Sequence, residues 1–265
     1  MRPRVCAVSY LNTAPLVWGF ERSPDAVLRS MFDLHYALPS KCADELAAGA
    51  ADIGIVPVIE MARQKLAYFP GTGIACHGPV RTILLISKVP IPQIRTLAAD
   101  AGSRSSVMLA RVILAEKYGA DPKIFSRPAD LAAMLGEADA ALIIGDPALH
   151  LDPATLPFET LDLGGEWNAM TGLPMVFAVW AGRKEVIQER YAQAFAASCR
   201  YGLEHVREIA REQPAVRGVP EPLALEYLTR HIVFELGERD YQGMKLYLKS
   251  ALRLDRVMIP GAVSA

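Results

Sequence analysis

Short β-rich runs alternate with helical stretches along most of this chain, and that alternation limits the fold more than any other feature. Residues 5–8, 28–38, 53–56 and 83–87 are short, apolar and rich in branched or aromatic side chains, as strands are. Residues 40–49 carry the marks of a helix, with Ser40 placed to cap it, Asp44 and Glu45 in its early turns and Gly49 to end it. Such βαβ-like units predict an α/β fold with a largely parallel sheet.

Val89-Pro90-Ile91-Pro92 is the clearest interruption, because two prolines so spaced resist both helix and central strand. A domain crossover is expected there. Beyond it, 96–99, 123–125 and 140–144 read as strands and 105–118 and 129–135 as helices, which makes a second, smaller α/β unit. Residues 175–180 read as another buried strand, 184–210 as an amphipathic helix, and 221–231 and 240–252 as further helix. At 265 residues, two domains are expected rather than one.

Composition removes several functions. Lys and Arg number 28 against 29 Asp and Glu, without the basic surplus of a nucleic-acid binder. Cys6, Cys42, Cys76 and Cys199 form no C-x-x-C pair and the five histidines no close ligand pair, so no metal is expected. The cysteines read as small buried hydrophobes. The longest apolar stretch, 173–181, has nine residues including Pro174, whereas a spanning helix needs about 20. The start shows no secretory signal, so no membrane partner and a cytoplasmic location are expected. No nucleophile elbow, Walker loop or dinucleotide fingerprint occurs.

Five segments can carry chemistry. Ser9-Tyr10-Leu11-Asn12-Thr13 follows the first strand, where open α/β sheets bind ligands, although Asn12 or Thr13 can equally cap a helix that begins near Pro15. Pro57 ends another strand, with Glu60 beyond it read chiefly as part of a structural turn. Gly78, Val80, Arg81 and Thr82 offer amides, a guanidinium and a hydroxyl suited to a carboxylate, and His77 beside them reads as a loop residue. Ser103, Arg104, Ser105, Ser106 and Val107 enter the middle helix, whose N-terminus favours an anion. Asp146 stands at a strand end, able to orient a ligand hydroxyl or to cap its turn. A cleft of neutral hydroxyls, amides and a few arginines suits a small carboxylate-bearing ligand.

These segments, together with Trp167 and Thr171-Gly172-Leu173-Pro174, resemble in order the chorismate dehydratases of the futalosine route to menaquinone, over about residues 4–182. The resemblance implies a fold of the type 2 periplasmic-binding-protein kind, two α/β lobes about a central cleft. Lobe 1 would comprise 1–88 and 175–265, its final helical third packed back on it, and lobe 2 would comprise 89–174. It implies loss of water from chorismate to give 3-[(1-carboxyvinyl)oxy]benzoate, without cofactor or metal. Asn12 would be the principal catalytic group and Thr82 its hydroxyl partner. Ser9, Thr13, Pro57, Gly78, Val80, Arg81, Ser103, Arg104, Ser105, Ser106, Val107 and Asp146 would bind substrate. The rivals are the sister family that makes 1,4-dihydroxy-6-naphthoate, whose usual first loop differs from Ser9-Tyr10-Leu11-Asn12-Thr13, and a non-catalytic carboxylate binder. Nothing in the sequence specifies an oligomeric state.

Overall fold

The computed structural model describes residues 2–100, 102, 104–213 and 217–257. In chain order the strands are β1 (Arg4–Val8), β2 (Asp33–Ala37), β3 (Ile53–Pro57), β4 (Ala67–Cys76), β5 (Ile83–Ser87) and β6 (Thr96–Asp100). They continue as β7 (Lys123–Arg127), β8 (Ala140–Ile144), β9 (Glu159–Asp162), β10 (Met175–Gly182) and β11 (Val233–Glu235). One sheet runs β11-β4-β10-β3-β1-β2 and the other β7-β6-β8-β5-β9.

The early strands of each sheet are parallel, β1 between β2 and β3 and β6 between β7 and β8. The rest is antiparallel, with β10 between β3 and β4, β11 beside β4, and β5 between β8 and β9. The sheets are therefore mixed rather than largely parallel. A parallel neighbour needs a crossover within its own lobe, whereas β5 and β10 each arrive from the other lobe and enter from the opposite end.

This topology moves the expected boundary at residue 88. β5 pairs with β8 from Ile83 opposite Ile144 to Ser87 opposite Ala140, which puts it in the second lobe and makes 77–82 the first crossover. All five β5 residues are buried, and a wholly apolar strand reads alike in either sheet. The Pro90 and Pro92 region only ends β5, passing through a short 3₁₀ turn at Ile91–Gln93.

Local chemistry explains the neighbouring elements. The Pro39–Ala48 helix stops at Gly49, whose φ of 71° suits a residue without Cβ, but Leu38 takes the N-cap position and Ser40 lies inside the helix. The expected strand over 28–38 shortens to β2, because Asp25 accepts from the Val27 and Leu28 N–H groups and starts a helical turn at Ala26–Arg29. β4, containing Pro70, Gly71 and Gly73, was not expected as a strand; it pairs with β10 through two register shifts. The expected helix over 184–210 divides into Lys184–Val186, Glu189–Glu204 and Val206–Glu212.

Under the first sheet, Phe195 stacks on Trp180 with ring centroids 4.5 Å apart and on Phe32 at 5.1 Å. The same helix, Glu189–Glu204, lies against Ala14–Arg22 so closely that Ser198 Oγ accepts from Phe20 N and donates to the Leu16 carbonyl. The last helix, Glu238–Val257, does more than pack on the first lobe. Asp255 pairs with Arg63 there, while Tyr247 donates to the Ser105 carbonyl at 2.9 Å and Arg253 pairs with Glu116 in the second. No described helix is long and apolar enough to cross a membrane.

Candidate active site

Between the lobes lies a cleft with about 540 Å³ of atom-free space, counting the part open to solvent, within the range of small-molecule sites. Its lining is mainly apolar, and its polar side chains are Tyr10, Asn12, Thr82, Ser105 and Ser106. None of these carries a formal charge. Pro57 and Val80 also line it.

The loop after β1 reaches the cleft as a 3₁₀ turn, Leu11–Thr13, running into the Ala14–Arg22 helix with Pro15 in its first turn. Asp146 fixes that turn from the other lobe, accepting from the Leu11 N–H at 2.9 and 3.2 Å. Arg217 Nε donates to the same carboxylate at 2.9 Å, and Arg217 Nη2 donates to the Ser9 carbonyl at 3.0 Å. Burial pushes the Asp146 carboxyl above its ordinary value, against the opposing pull of the Leu11 N–H and Arg217. Asp146 and Ser9 thus hold the loop from behind and do not line the cleft.

Asn12 Nδ2 donates to Tyr227 Oη at 3.0 Å, and the Thr82 hydroxyl lies 3.0 Å from the same oxygen. Asn12 Oδ1 is buried without a hydrogen-bond partner among the described residues. An acceptor in that state is costly unless a ligand fills it. Tyr227 was not singled out from the sequence. It opens a π-turn, Tyr227–His231, at the end of the Glu221–Glu226 helix, where periodicity reads one continuous helix. Burial pushes its phenol well above the ordinary value.

The crossover that carries Thr82 is pinned by Asp162, which accepts from the Val80 N–H at 2.9 Å and the Arg81 N–H at 2.6 Å. The same carboxylate caps the Leu163–Thr171 helix through the N–H groups of Gly164 and Gly165. No sequence signal marked Asp162 beyond its position before two glycines. Arg81, with a left-handed φ of 69°, turns away from the cleft and donates from Nη1 to the Ala148 carbonyl at 2.9 Å. Gly78 lies behind the lining, its carbonyl packed beside Gly164.

Across the cleft, the Arg104–Tyr118 helix presents Ser105 and Ser106 in its first turn, both 3% exposed. Backbone N–H groups there and the helix dipole favour an anion. Arg104 itself points elsewhere, donating to Glu60 at 2.9 Å and Asp44 at 2.7 Å and so tying the lobes together. Glu60 is thereby held by Arg104 and Arg63, as befits a structural group. Val107 lines a separate depression with Arg104 and Arg111. Thr13 is buried behind the loop, its hydroxyl without a partner among the described residues. Ser103 lies outside the described residues.

The expected arginines are thus absent from the lining. The Arg81 guanidinium is engaged by carbonyls and that of Arg104 by carboxylates outside it, and an unpaired one in an apolar cleft would be heavily penalised. His77, expected as a loop residue, lies 2.8 Å from Asp240 outside the lining. Tyr10, by contrast, lines the cleft with its ring against Gly145. Away from it, Cys6, His35 and Glu45 bring donor atoms within 4.8 Å of one another, and Cys6 Sγ lies 2.7 Å from Cys42 Sγ. That grouping of possible metal ligands was invisible in the spacing.

A model of the family described as "Menaquinone biosynthesis" matches residues 3–253. The chain belongs to that family. A chorismate dehydratase of Thermus thermophilus is 29% identical over 269 residues, covering 94% of this chain and 96% of the relative. A chorismate dehydratase of Campylobacter jejuni is 23% identical over 254 residues, covering 94% and 97%. Among solved structures, a Candida albicans protein described as exhibiting the generic periplasmic binding protein fold superposes with a TM-score of 0.69 at 15% identity. That match covers all of this chain and 92% of the other, and it establishes the fold class expected from the sequence.

Proposed function

We propose that this family member is a cytoplasmic chorismate dehydratase, a hydro-lyase converting chorismate to 3-[(1-carboxyvinyl)oxy]benzoate. The observation that carries the reading is the buried Asn12 Oδ1, unpartnered among the described residues, beside Thr82 in a cleft faced by a serine-bearing helix start. The whole-length similarity to chorismate dehydratases supports the choice of substrate.

In this reading a carboxylate of the substrate sits at the Ser105 and Ser106 end, held by hydroxyls and backbone N–H groups rather than by an arginine. A C–O bond and a neighbouring C–H bond of the ring break and water leaves. The ring becomes aromatic, which supplies the driving force, so the protein has mainly to select this elimination over others. An amide is a poor base, and Asn12 acts by accepting from or orienting the departing hydroxyl, with the Thr82 hydroxyl beside it. The Pro57, Val80 and Tyr10 surfaces exclude water and strengthen those bonds.

The periplasmic-binding-protein fold itself favours a second reading, a carboxylate binder without turnover. Incubating the protein with chorismate while following loss of diene absorbance and appearance of the substituted benzoate separates the two. Turnover supports the dehydratase, tight binding without turnover supports the binder, and neither result rejects both. Asn12→Ala is expected to lower kcat by at least about 10²-fold with the fold intact, in line with removal of one transition-state hydrogen bond.

A further inference from the structure

We propose that the π-turn Tyr227–His231 is a clamp that positions the site, with the Tyr227 hydroxyl as a positioning residue for both Asn12 and Thr82. This rests on the reading of those two residues as the reacting pair.

Tyr227 is 1% exposed, and its Oη lies 3.0 Å from both Asn12 Nδ2 and Thr82 Oγ1. A phenolic hydroxyl has one proton to donate and can accept bonds as well. The Asn12 amide donates to it, and the phenol and the Thr82 hydroxyl share a hydrogen bond. With Nδ2 committed in this way, the Asn12 amide is held with Oδ1 unpartnered among the described residues, as an acceptor for the ligand. Without the phenol, the amide is free to turn over and offer NH₂ instead. Among the described residues the Thr82 hydroxyl has little else to hold it, since its other contact, the Val80 carbonyl, is 3.5 Å away. The phenol, its ionisation suppressed by burial, stays neutral through the working pH range and does not compete as a base.

The backbone supports the same assignment. A π-turn is rare and widens a helix by one residue, and such turns concentrate at functional sites. Here the wide turn links two contacts with the first crossover, Tyr227 to Thr82 at one end and His231 Nδ1 to the Pro79 carbonyl at 2.9 Å at the other. The C-terminal third thus grips the crossover at both ends of 79–82. An α-helical continuation would have no reason to present both residues to it.

The test is steady-state turnover of chorismate by Tyr227→Phe, Thr82→Val, the double variant and Asn12→Ala, with thermal unfolding measured on each. Tyr227→Phe is expected to lower kcat about 10- to 100-fold while KM changes less than about threefold, as expected when only transition-state alignment is lost. The double variant is expected to lose much less than the product of the single losses, because both changes break one network. A kcat within twofold of the parent, or a raised KM with kcat unchanged, overturns the clamp while an inactive Asn12→Ala leaves the catalytic reading standing. If Asn12→Ala is itself active, the underlying reading fails. Should Tyr227→Phe not fold, His231→Ala releases the far end of the turn, and an unchanged kcat there overturns the proposal as well.

Discussion

Arg217 Nε donates to Asp146 Oδ2 at 2.9 Å, so the C-terminal third of the chain is joined to the end of a second-lobe strand directly behind the Asn12 loop. Arg217 pulls the Asp146 carboxyl down while burial pushes it up, and burial prevails. Arg217→Ala removes its share of the opposing pull and leaves that of the Leu11 N–H. Stability then falls by about 1–3 kcal/mol at neutral pH, the usual cost of stranding a buried polar group. The sign with pH follows from linkage. A carboxyl raised in the folded state destabilises the fold when ionised, and the variant's is raised further, so the deficit relative to the parent grows as pH rises through the parent's raised value, above the ordinary 3.8. Urea unfolding at a series of pH values checks this, and a deficit that shrinks with rising pH would contradict it.

Gly145 takes φ 64° and ψ −148°, a region that residues with a Cβ avoid, and a Cβ there would lie 2.6 Å from the Tyr10 ring. Gly145→Ala is expected to cost about 1–3 kcal/mol in backbone strain alone. Because Tyr10 lines the cleft, displacement of its ring raises KM for chorismate as well. Thermal unfolding and steady-state kinetics read the two effects separately.

Gly202 and Gly136 make opposite predictions. A Cβ on Gly202 would sit 2.0 Å from the Pro15 carbonyl oxygen, where two helices meet backbone to backbone, so Gly202→Ala is expected to lose about 1–3 kcal/mol or more. Gly136, exposed in the Leu131–Glu137 helix, has open space around it, and Gly136→Ala is expected to gain about 0.5–1 kcal/mol. Denaturant midpoints of the two variants should move in opposite directions.

Arg4 donates to Asp52 from Nε at 3.1 Å, from Nη2 at 2.9 Å and from its backbone N–H at 2.9 Å, and holds that carboxyl below its ordinary 3.8. The resulting stability is complete above 3.8 and is lost as pH falls through the lowered value. Asp52→Asn should therefore melt below the parent at pH 7, and the difference should narrow as the solution is acidified. A gap independent of pH would mean that the charge contributes nothing there.

Much of the local architecture was readable because it depends on neighbours in the chain. The residue 140–144 strand, the helix ending at Gly49 and the helix entered through Ser105 depend on hydrophobic period and end groups, which are local properties. β4 escaped because Pro70, Gly71 and Gly73 resemble a loop, and only its pairing with β10 makes it a strand. Of the site, Asn12, Thr82, Pro57, Val80, Ser105 and Ser106 reach the cleft as expected, since strand ends and helix starts in an α/β fold converge there. Arg81, Arg104 and Asp146 were expected to bind substrate, but their partners lie 44 to 135 positions away and hold them outside the lining.

The sequence by itself determined an α/β chain through periodicity and capping, and its motif order carried the resemblance that implied the two-lobed fold class. Only the tertiary structure decided which lobe β5 joins, which cations are consumed in holding the lobes, and that Tyr227 stands between Asn12 and Thr82. The reason is range. Period and cap chemistry act over a few residues, whereas a hydrogen bond between positions 215 apart exists only once the tertiary fold has brought them together.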